Sequence, residues 1–234
     1  HSMKDVPTEF PDGLHLAYIT EREDPRDIVI SRNGAPLFDL PKGAKIGTAS
    51  LRRQAQILQR RPDCEIVQLR GNLDTRIRKL TETGLDAIIL AGAGIKRMGW
   101  AEKITEYLEP EVMLPAIGQG ALGIETRIDD EEINGLTAFF NHHLTSVAVR
   151  AERALLKRLE GGCQVPIAAY GAVNEGRLKL VGLVASTDGA RVIKESLEGN
   201  EEEAETTGVN LAERLLDKGA GEILAEVYGE APRE

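Results

Sequence analysis

The 234-residue sequence is poor in several residue types on which whole classes of protein depend. It has two cysteines, four histidines and 4% aromatic residues. Two cysteines cannot form the disulfide framework of a small secreted protein, so we expect a reducing, cytoplasmic location. Because histidines are few and the cysteines far apart, no zinc-ligand spacing occurs and no metal site is predicted. No apolar run approaches the roughly 18 residues that cross a bilayer and no secretory signal is visible, so no membrane association is expected.

Positive charge is also scarce overall, but it is concentrated in one segment. The net charge is −9, which disfavours a uniformly basic nucleic-acid binder. Residues 41–100 carry 12 basic and 5 acidic side chains, so the rest of the chain has a net charge of −16. A basic island in an acidic protein indicates a local site for a small polyanion. An ordinary solvated surface is the alternative that charge alone leaves open.

Strand and helix patterns alternate over the first 117 residues. Strands are predicted at 15–20, 27–31, 45–48, 65–70, 86–91 and 112–117. Helices are predicted at 50–61 and 72–83, with N-caps at Ser50 and Asn72, and a helical stretch follows strand 86–91 to about Leu108. This order predicts an α/β fold with a mainly parallel sheet and right-handed crossovers.

The second half of the chain has a different order of predicted helices and strands. A glycine-rich turn at 118–125 leads into a short strand, and helices are predicted at 129–141 and 144–159. Three strands follow at 167–173, 178–186 and 191–197, and short turns between them predict antiparallel pairing. Two further helices end the chain. This C-terminal part is therefore predicted to be a separate α+β unit with a three-stranded antiparallel sheet.

The first turn of the predicted helix 50–61 contains an unusual pair, Arg52 and Arg53. A helix N-terminus carries partial positive charge and favours acids, so two arginines there call for a nearby anion. Guanidinium forks and free backbone N–H groups together bind carboxylates or phosphates well. The alternative is that an Asp or Glu elsewhere in the chain pairs with these arginines.

Two more basic turns, Leu69–Arg76 and Ala93–Arg97, share the same setting. Each of the three turns follows the carboxyl end of a predicted strand, and ligands bind at that edge of an open α/β sheet. Arginine outnumbers lysine in these turns, which suits planar carboxylates. The pattern predicts a polyanion site.

Three other features are less specific by themselves. Gly118–Gly123 matches G-x-G-x-x-G in letters, but it leads into a strand and is not read as a dinucleotide site. Cys163 follows two glycines in a loop, where a thiol is accessible as a nucleophile or attachment point, although most such thiols are inert. Spacing alone gives Asp5, beside Lys4, no role beyond a paired surface charge.

Taken together, these segments closely resemble the hydroxymethylbilane synthase family, also called the porphobilinogen deaminase family. The match runs along the whole chain in family order. It comprises residues 1–7, 21–26, 47–54, 69–72, 75–76, 96–97, 118–121 and 159–166.

The resemblance implies a cytosolic transferase of tetrapyrrole (haem) biosynthesis. Such an enzyme joins four porphobilinogen molecules head to tail, with release of ammonia, into linear hydroxymethylbilane. The chain grows on a dipyrromethane cofactor held through a thioether, here matched by Cys163. Asp5 matches the family's catalytic aspartate, which holds the pyrrole N–H groups and stabilises the cationic azafulvene formed as ammonia leaves.

The resemblance also implies which residues bind the acetate and propionate groups of the pyrroles, and which turns support them. The carboxylate-binding positions are Lys4, Ser50, Arg52, Arg53, Arg70, Arg76 and Arg97. The supporting positions are Thr48, Gly71, Asn72, Gln119 and Gly120.

The implied architecture has two lobes like those of solute-binding proteins, plus a C-terminal domain. Domain 1 corresponds to residues 1–22 and 118–140, domain 2 to 23–117, and domain 3 to 141–234. Family members carry a further N-terminal stretch of domain 1 that contributes another arginine and serine, so domain 1 is expected to be incomplete here. A monomer is expected.

Two other functions compete with this interpretation. A binding module with the same basic edge could hold a dicarboxylate without reacting it, but such a receptor needs neither Asp5 nor the Gly161–Cys163 loop. An RNA-binding module is disfavoured because the low aromatic content leaves few platforms for base stacking.

Overall fold

The computed structural model describes residues 1–160 and 165–230. These residues form three sheets, of five, two and three strands, with helices packed against them. The coarse prediction of a mixed α/β fold with a three-stranded antiparallel sheet is confirmed. Within the described residues, no helix is both long enough and apolar enough to cross a membrane.

The five-stranded sheet holds the first half of the chain. Its strands are β2 (Asp27–Ser31), β3 (Lys45–Gly47), β4 (Glu65–Val67), β5 (Ala87–Ala91) and β6 (Glu106–Leu108), in the order β4-β3-β5-β2-β6. β3 runs parallel to β4 and β5, whereas β2 is antiparallel to both β5 and β6. Four of the five strands therefore run parallel to one another, as predicted. The prediction is wrong for β2, which runs in the opposite direction.

Two predicted elements at the end of this region are wrong. Helix α3 (Gly92–Arg97) is short, because Gly99 adopts a φ of +72° that ends it, and residues 106–108 pair with β2 as a strand. Residues 112–117 form no strand. The N–H groups of Val112 and Met113 both donate to the Glu109 carbonyl in a turn, and that of Leu114 donates to the Gln56 side chain.

Helices α1 (Leu51–Arg60) and α2 (Leu73–Glu82) connect the parallel strands, close to their predicted positions. Asn72 caps α2 by accepting a hydrogen bond from the Thr75 N–H at 2.9 Å, as predicted. Ser50 occupies the N-cap position of α1, but its side chain makes no capping hydrogen bond. The N-terminus of α1 is thus left without a side-chain acceptor from its own cap.

The two-stranded sheet joins distant parts of the chain. β1 (Leu14–Ile19) pairs antiparallel with β7 (Gly123–Arg127). Helix α4 (Glu131–Thr137) follows β7 and continues as a 3-10 turn to Phe140, so the predicted helix 129–141 is split. Helix α5 (His143–Arg158) then crosses to the third sheet.

The C-terminal unit is built as predicted. β8 (Ile167–Asn174), β9 (Arg177–Ala185) and β10 (Val192–Asn200) form an antiparallel sheet in the order β10-β9-β8. Glu175 and Gly176 both have positive φ, which suits a two-residue hairpin turn. One face of the sheet packs on α5, α6 (Ala204–Asp217) and α7 (Ala220–Glu230) through fully buried residues such as Leu180 and Val184.

Candidate active site

A cleft of about 310 Å³ lies where the start of the chain, the N-terminus of α1 and the 116–119 turn meet. The sequence-predicted site residues that line it come from four separate stretches of the chain. They are Lys4, Asp5, Ser50, Arg52, Arg53, Arg76 and Gln119.

The shared sheet edge explains why distant basic turns come together. β3, β4 and β5 are parallel neighbours, so the turns that follow their carboxyl ends lie on one side of the sheet. Arg70 and Arg97, which belong to the same turns, do not line the cleft. Both are exposed, and Arg97 donates from Nη2 to the Gly120 carbonyl at 2.9 Å.

A buried carboxylate that sequence reasoning missed lies beneath the cleft. Asp27 is fully buried at the start of β2. Its Oδ2 accepts from Arg52 Nη1 at 2.7 Å, and its Oδ1 accepts from Arg53 Nε at 3.0 Å and Nη2 at 2.8 Å. Gln119 Nε2 also donates to Oδ1, at 3.0 Å. The internal acid that the sequence left open as a partner for these arginines is therefore Asp27.

The Asp27 carboxyl stays ionised at low pH. Burial raises its pKa, but the charges of Arg52 and Arg53 and the hydrogen bonds from Arg52 and Gln119 outweigh burial. The result is a pKa of about 2 against an ordinary value of 3.8. The sequence signal for this buried carboxylate is an acidic residue at the first position of β2, directly before an apolar run.

We expect the free energy of unfolding to fall between pH 4 and pH 2 partly because of Asp27. A carboxyl whose pKa is lower in the folded state stabilises the fold above its unfolded-state pKa and loses that contribution as pH falls through the folded value. The shift corresponds to about 2 kcal/mol. Urea unfolding over this pH range measures it, and Asp27→Asn should lack this component. Equal pH dependence in both proteins would contradict the assignment.

Positive charge exceeds negative charge in the cleft. Lys4, Arg52, Arg53 and Arg76 line it, and among the described residues Asp5 and the underlying Asp27 offset them. Burial and the neighbouring Arg53 lower the pKa of Lys4, and the same two causes lower the pKa of Arg76. An anion in the cleft would relieve this repulsion, because it favours the charged form of each basic group.

Buried polar atoms that lack a hydrogen-bond partner indicate whether a ligand with several carboxylates fits the cleft. The buried Arg52 Nε donates to no acceptor, and the buried Gln119 Oε1 accepts from no donor, in the described part of the chain. A buried donor without a partner costs roughly 1–3 kcal/mol, and a carboxylate within reach would remove that cost. The lining groups are therefore chemically suited to the carboxylate side chains of a pyrrole.

The segment that carries Lys4 and Asp5 is held by the glycine-rich turn. Residues Met3–Asp5 form a 3-10 turn, and the Met3 N–H donates to the Ala121 carbonyl at 3.0 Å. Gly118 has a φ of +69°, and a Cβ there would lie 2.6 Å from the Met3 Cβ. Gly120 has a φ of +93°, and its Cβ would lie 2.3 Å from the Glu23 carbonyl oxygen. Only glycine satisfies both conditions at these positions.

A buried ion pair fixes the same turn from the other side. Arg22 donates from Nη1 and Nη2 to the Glu152 carboxylate at 2.7 and 2.9 Å, and from Nε to the Gln119 carbonyl at 2.8 Å. Glu152, fully buried on α5, accepts the Gly118 N–H at 2.6 Å. No local sequence pattern indicates this pair, because its members are 130 residues apart.

Thr48, Gly71 and Asn72, which are predicted to support the site, fix the backbone just before α1 and α2. Thr48 Oγ1 accepts the Ser50 N–H at 3.2 Å, which fixes the chain just before α1. Gly71 has a φ of +124°, and a Cβ there would lie 2.8 Å from a Thr75 methyl group. Asn72 caps α2 directly after it. These contacts orient the first turns of α1 and α2, which present Arg52, Arg53 and Arg76.

Cys163 lies outside the described residues. The described residues closest to it in the sequence are Glu160 and Val165, and Val165 lines the cleft together with Leu156 and Ile167. Described residues that line the cleft thus occur on both sides of this segment in the sequence, at Leu156 and at Val165.

Family models cover most of the chain. A model described as the dipyrromethane cofactor binding domain of porphobilinogen deaminase matches residues 1–135, and one for the C-terminal domain matches residues 146–217. The chain belongs to the porphobilinogen deaminase family. The resemblance found in the sequence is thus confirmed, as are the predictions of an enzyme and of a dipyrromethane cofactor.

Individual relatives agree with the porphobilinogen deaminase models. A porphobilinogen deaminase of Geobacter metallireducens is 64% identical over 228 residues, which are 97% of this chain and 71% of the relative. One of Geotalea uraniireducens is 63% identical with the same coverage. Among solved structures, a periplasmic binding protein of Salmonella typhimurium with high arginine specificity is 21% identical, covers 52% of this chain and 53% of its own, and has a TM-score of 0.32. That likeness is too low to support the two-lobed shape.

Over residues 1–160 and 165–230, no group of three or more His, Cys, Asp or Glu side chains could hold a metal ion.

Proposed function

We propose that the cationic cleft is the place where this enzyme binds and joins its pyrrole units. As a member of its family, the chain is a transferase of tetrapyrrole biosynthesis that condenses four porphobilinogen molecules, with release of ammonia, into hydroxymethylbilane. The observation that carries the assignment is the convergence of Asp5, Lys4 and three arginines on one cleft at the sheet edge.

Carboxylate binding is the first role we assign. Each porphobilinogen carries an acetate and a propionate, and guanidinium groups bind carboxylates through paired hydrogen bonds. Arg52 and Arg53 already share Asp27, so their remaining N–H groups, Arg52 Nε among them, are the donors for a ligand. Lys4, Ser50 and Arg76 line the same cleft, while Arg70 and Arg97 are placed outside it, where further units would be held.

Asp5 has the catalytic role in this proposal. It is exposed at the cleft, unlike Asp27, which is enclosed by its arginine partners. Its carboxylate is free to accept hydrogen bonds from pyrrole N–H groups. It would also stabilise the positive charge that develops on a pyrrole as ammonia departs, which is a transition-state effect.

The dipyrromethane cofactor supplies a covalently held starter on which the chain of pyrroles grows. Cys163 is the residue that we propose to anchor it, since the described segments on either side of residues 161–164 reach the cleft. Cys64, the other cysteine, is buried, and burial raises the pKa of its thiol. A raised pKa disfavours the reactive thiolate.

Cys163→Ser is expected to leave a folded protein without covalent cofactor, because a hydroxyl is a far poorer nucleophile than a thiolate. Intact mass after denaturation measures this, with Cys64→Ser as the matched control that should retain the added mass. Covalent pyrrole retained by Cys163→Ser would contradict the anchor assignment. A bare chain mass for the unmodified protein would favour a binding module.

The domain division is also a proposal. The pairing of β1 with β7 supports a first domain built from 1–22 and 118–140, and all strands of the five-stranded sheet lie within 23–117. The three-stranded sheet lies within 141–234. The proposed protein has two lobes like those of solute-binding proteins and is a monomer. It has no nucleic-acid partners and is located in the cytoplasm. Sedimentation of the purified holoenzyme tests the monomer.

A further inference from the structure

Arg153 on α5 makes contacts unlike those of the other basic residues of that helix. Its guanidinium donates from Nη1 to the Val6 carbonyl at 3.1 Å and from Nη2 to the Pro7 carbonyl at 2.6 Å. These are the two residues that directly follow Asp5. The same guanidinium lies 5.9 Å from the centre of the Phe10 ring. One side chain therefore holds three points of the segment that leaves Asp5.

The neighbouring basic residues instead form ordinary exposed ion pairs. Arg150 pairs with Glu205, and Arg158 with Glu213; all four side chains are at least 42% exposed. No carboxylate pairs with Arg153 among the described residues, and burial lowers the pKa of its guanidinium. Partly burying a charge that has no ion-pair partner costs free energy. The hydrogen bonds from Arg153 to the Val6 and Pro7 carbonyls offset part of this cost.

Helix α5 also holds the Asp5 segment through apolar contacts. Val149, one turn before Arg153, is buried in one cluster with Met3 and Val6, the residues that flank Lys4 and Asp5. Glu152, next to Arg153, accepts the Gly118 N–H of the turn on which Met3 rests. The helix thus fixes both sides of the segment, and it ends at Arg158, five residues before Cys163.

We infer that Arg153 is a positioning residue that fixes the Asp5 carboxylate relative to the end of α5 that leads to the cofactor-bearing loop. The inference rests on the catalytic role proposed for Asp5. Asp5 sits on a single 3-10 turn, so loss of the two carbonyl contacts would let it shift, and displacements of about 1 Å are enough to slow a reaction greatly. The planar fork of arginine bridges two successive carbonyls, which a lysine ammonium does less well.

The test compares Arg153→Met and Arg153→Lys with the control Arg150→Met, one turn away on the same helix. Each is measured as the full-length holoenzyme. We expect Arg153→Met to keep its fold and its cofactor mass, and to lose at least roughly tenfold in kcat with KM for porphobilinogen nearly unchanged. Arg153→Lys should be intermediate, and it remains informative if Arg153→Met does not fold.

A double-variant cycle with Asp5→Glu separates this inference from the proposed function. If Arg153 acts through Asp5, Arg153→Met should lower kcat much less in the Asp5→Glu background, because the carboxylate is already misplaced. Equal losses in both backgrounds, or a kcat for both Arg153 variants equal to that of Arg150→Met, would overturn the inference. Near-normal kcat for Asp5→Asn would instead overturn the role of Asp5 itself.

Discussion

Asp5→Asn and Asp5→Ala are expected to abolish turnover while the fold and the attached cofactor remain. The carboxylate is exposed in the cleft and makes no ion pair in the described part of the protein, so removing its charge should cost little stability. Its effect is greatest when positive charge develops on the reacting pyrrole, so kcat should fall much more than KM rises. Asp5→Glu keeps the charge but moves it by about one methylene group, and should retain a little activity.

The measurement is steady-state kinetics with porphobilinogen, together with intact mass to confirm that the cofactor is present. The full-length protein is used, so that low activity has one cause. Asp12→Asn is a suitable control, since Asp12 is exposed in the same N-terminal segment and its side chain makes no described contact. Near-normal kcat for Asp5→Ala would remove Asp5 from the mechanism and strengthen the binding-module alternative.

Arg53→Leu is expected to have two separate effects. It leaves Asp27 with Arg52 and Gln119 as its remaining partners, so the unfolding free energy should fall by less than the roughly 3–5 kcal/mol that a buried charge with no partner costs. It also removes a donor for the ligand's carboxylates, which should cost roughly 2–5 kcal/mol of binding free energy. Chemical denaturation measures the first effect, and the KM for porphobilinogen with the cofactor-loaded fraction measures the second.

The double variant Arg53→Leu with Asp27→Asn distinguishes these effects. Asp27→Asn also removes the carboxylate partner of the buried Arg52, so the double variant should be no more stable than Arg53→Leu. Ligand binding should stay weak. Arg60→Leu, at a half-buried position in the last turn of the same helix, is the control. Normal binding in the double variant would mean that Arg53 serves the internal carboxylate alone.

Local sequence patterns determined most of the individual elements. The apolar run of β2 and the three C-terminal strands occur at their predicted positions within a few residues. The hairpin between β8 and β9 follows from Glu175-Gly176, since glycine adopts positive φ at no cost. The cap at Asn72 follows from a side chain that can accept a helix N–H. These features depend on neighbours in the chain, and so they can be read from it.

The direction of β2 and the short strand β6 could not be read in the same way. The direction of β2 follows from its pairing with β5, about 60 residues away, and β6 exists because residues 106–108 pair with β2 about 80 residues away. The predicted strand at 112–117 failed for a related reason, since its N–H groups have turn and side-chain partners instead of a ladder. Hydrophobicity alone does not specify a pairing partner.

Some features of the candidate site could likewise be predicted from the sequence, whereas others depend on how the elements pack. The sequence by itself determined that three basic turns would share one sheet edge, and the resemblance marked Asp5, Cys163 and the arginines. Only the tertiary structure decided that Asp27 lies between Arg52 and Arg53, that Arg70 and Arg97 lie outside the cleft, and that Arg22 pairs with Glu152. The physical reason is that a charged group is paired according to distance in space, and these partners are brought together only when sheets and helices pack.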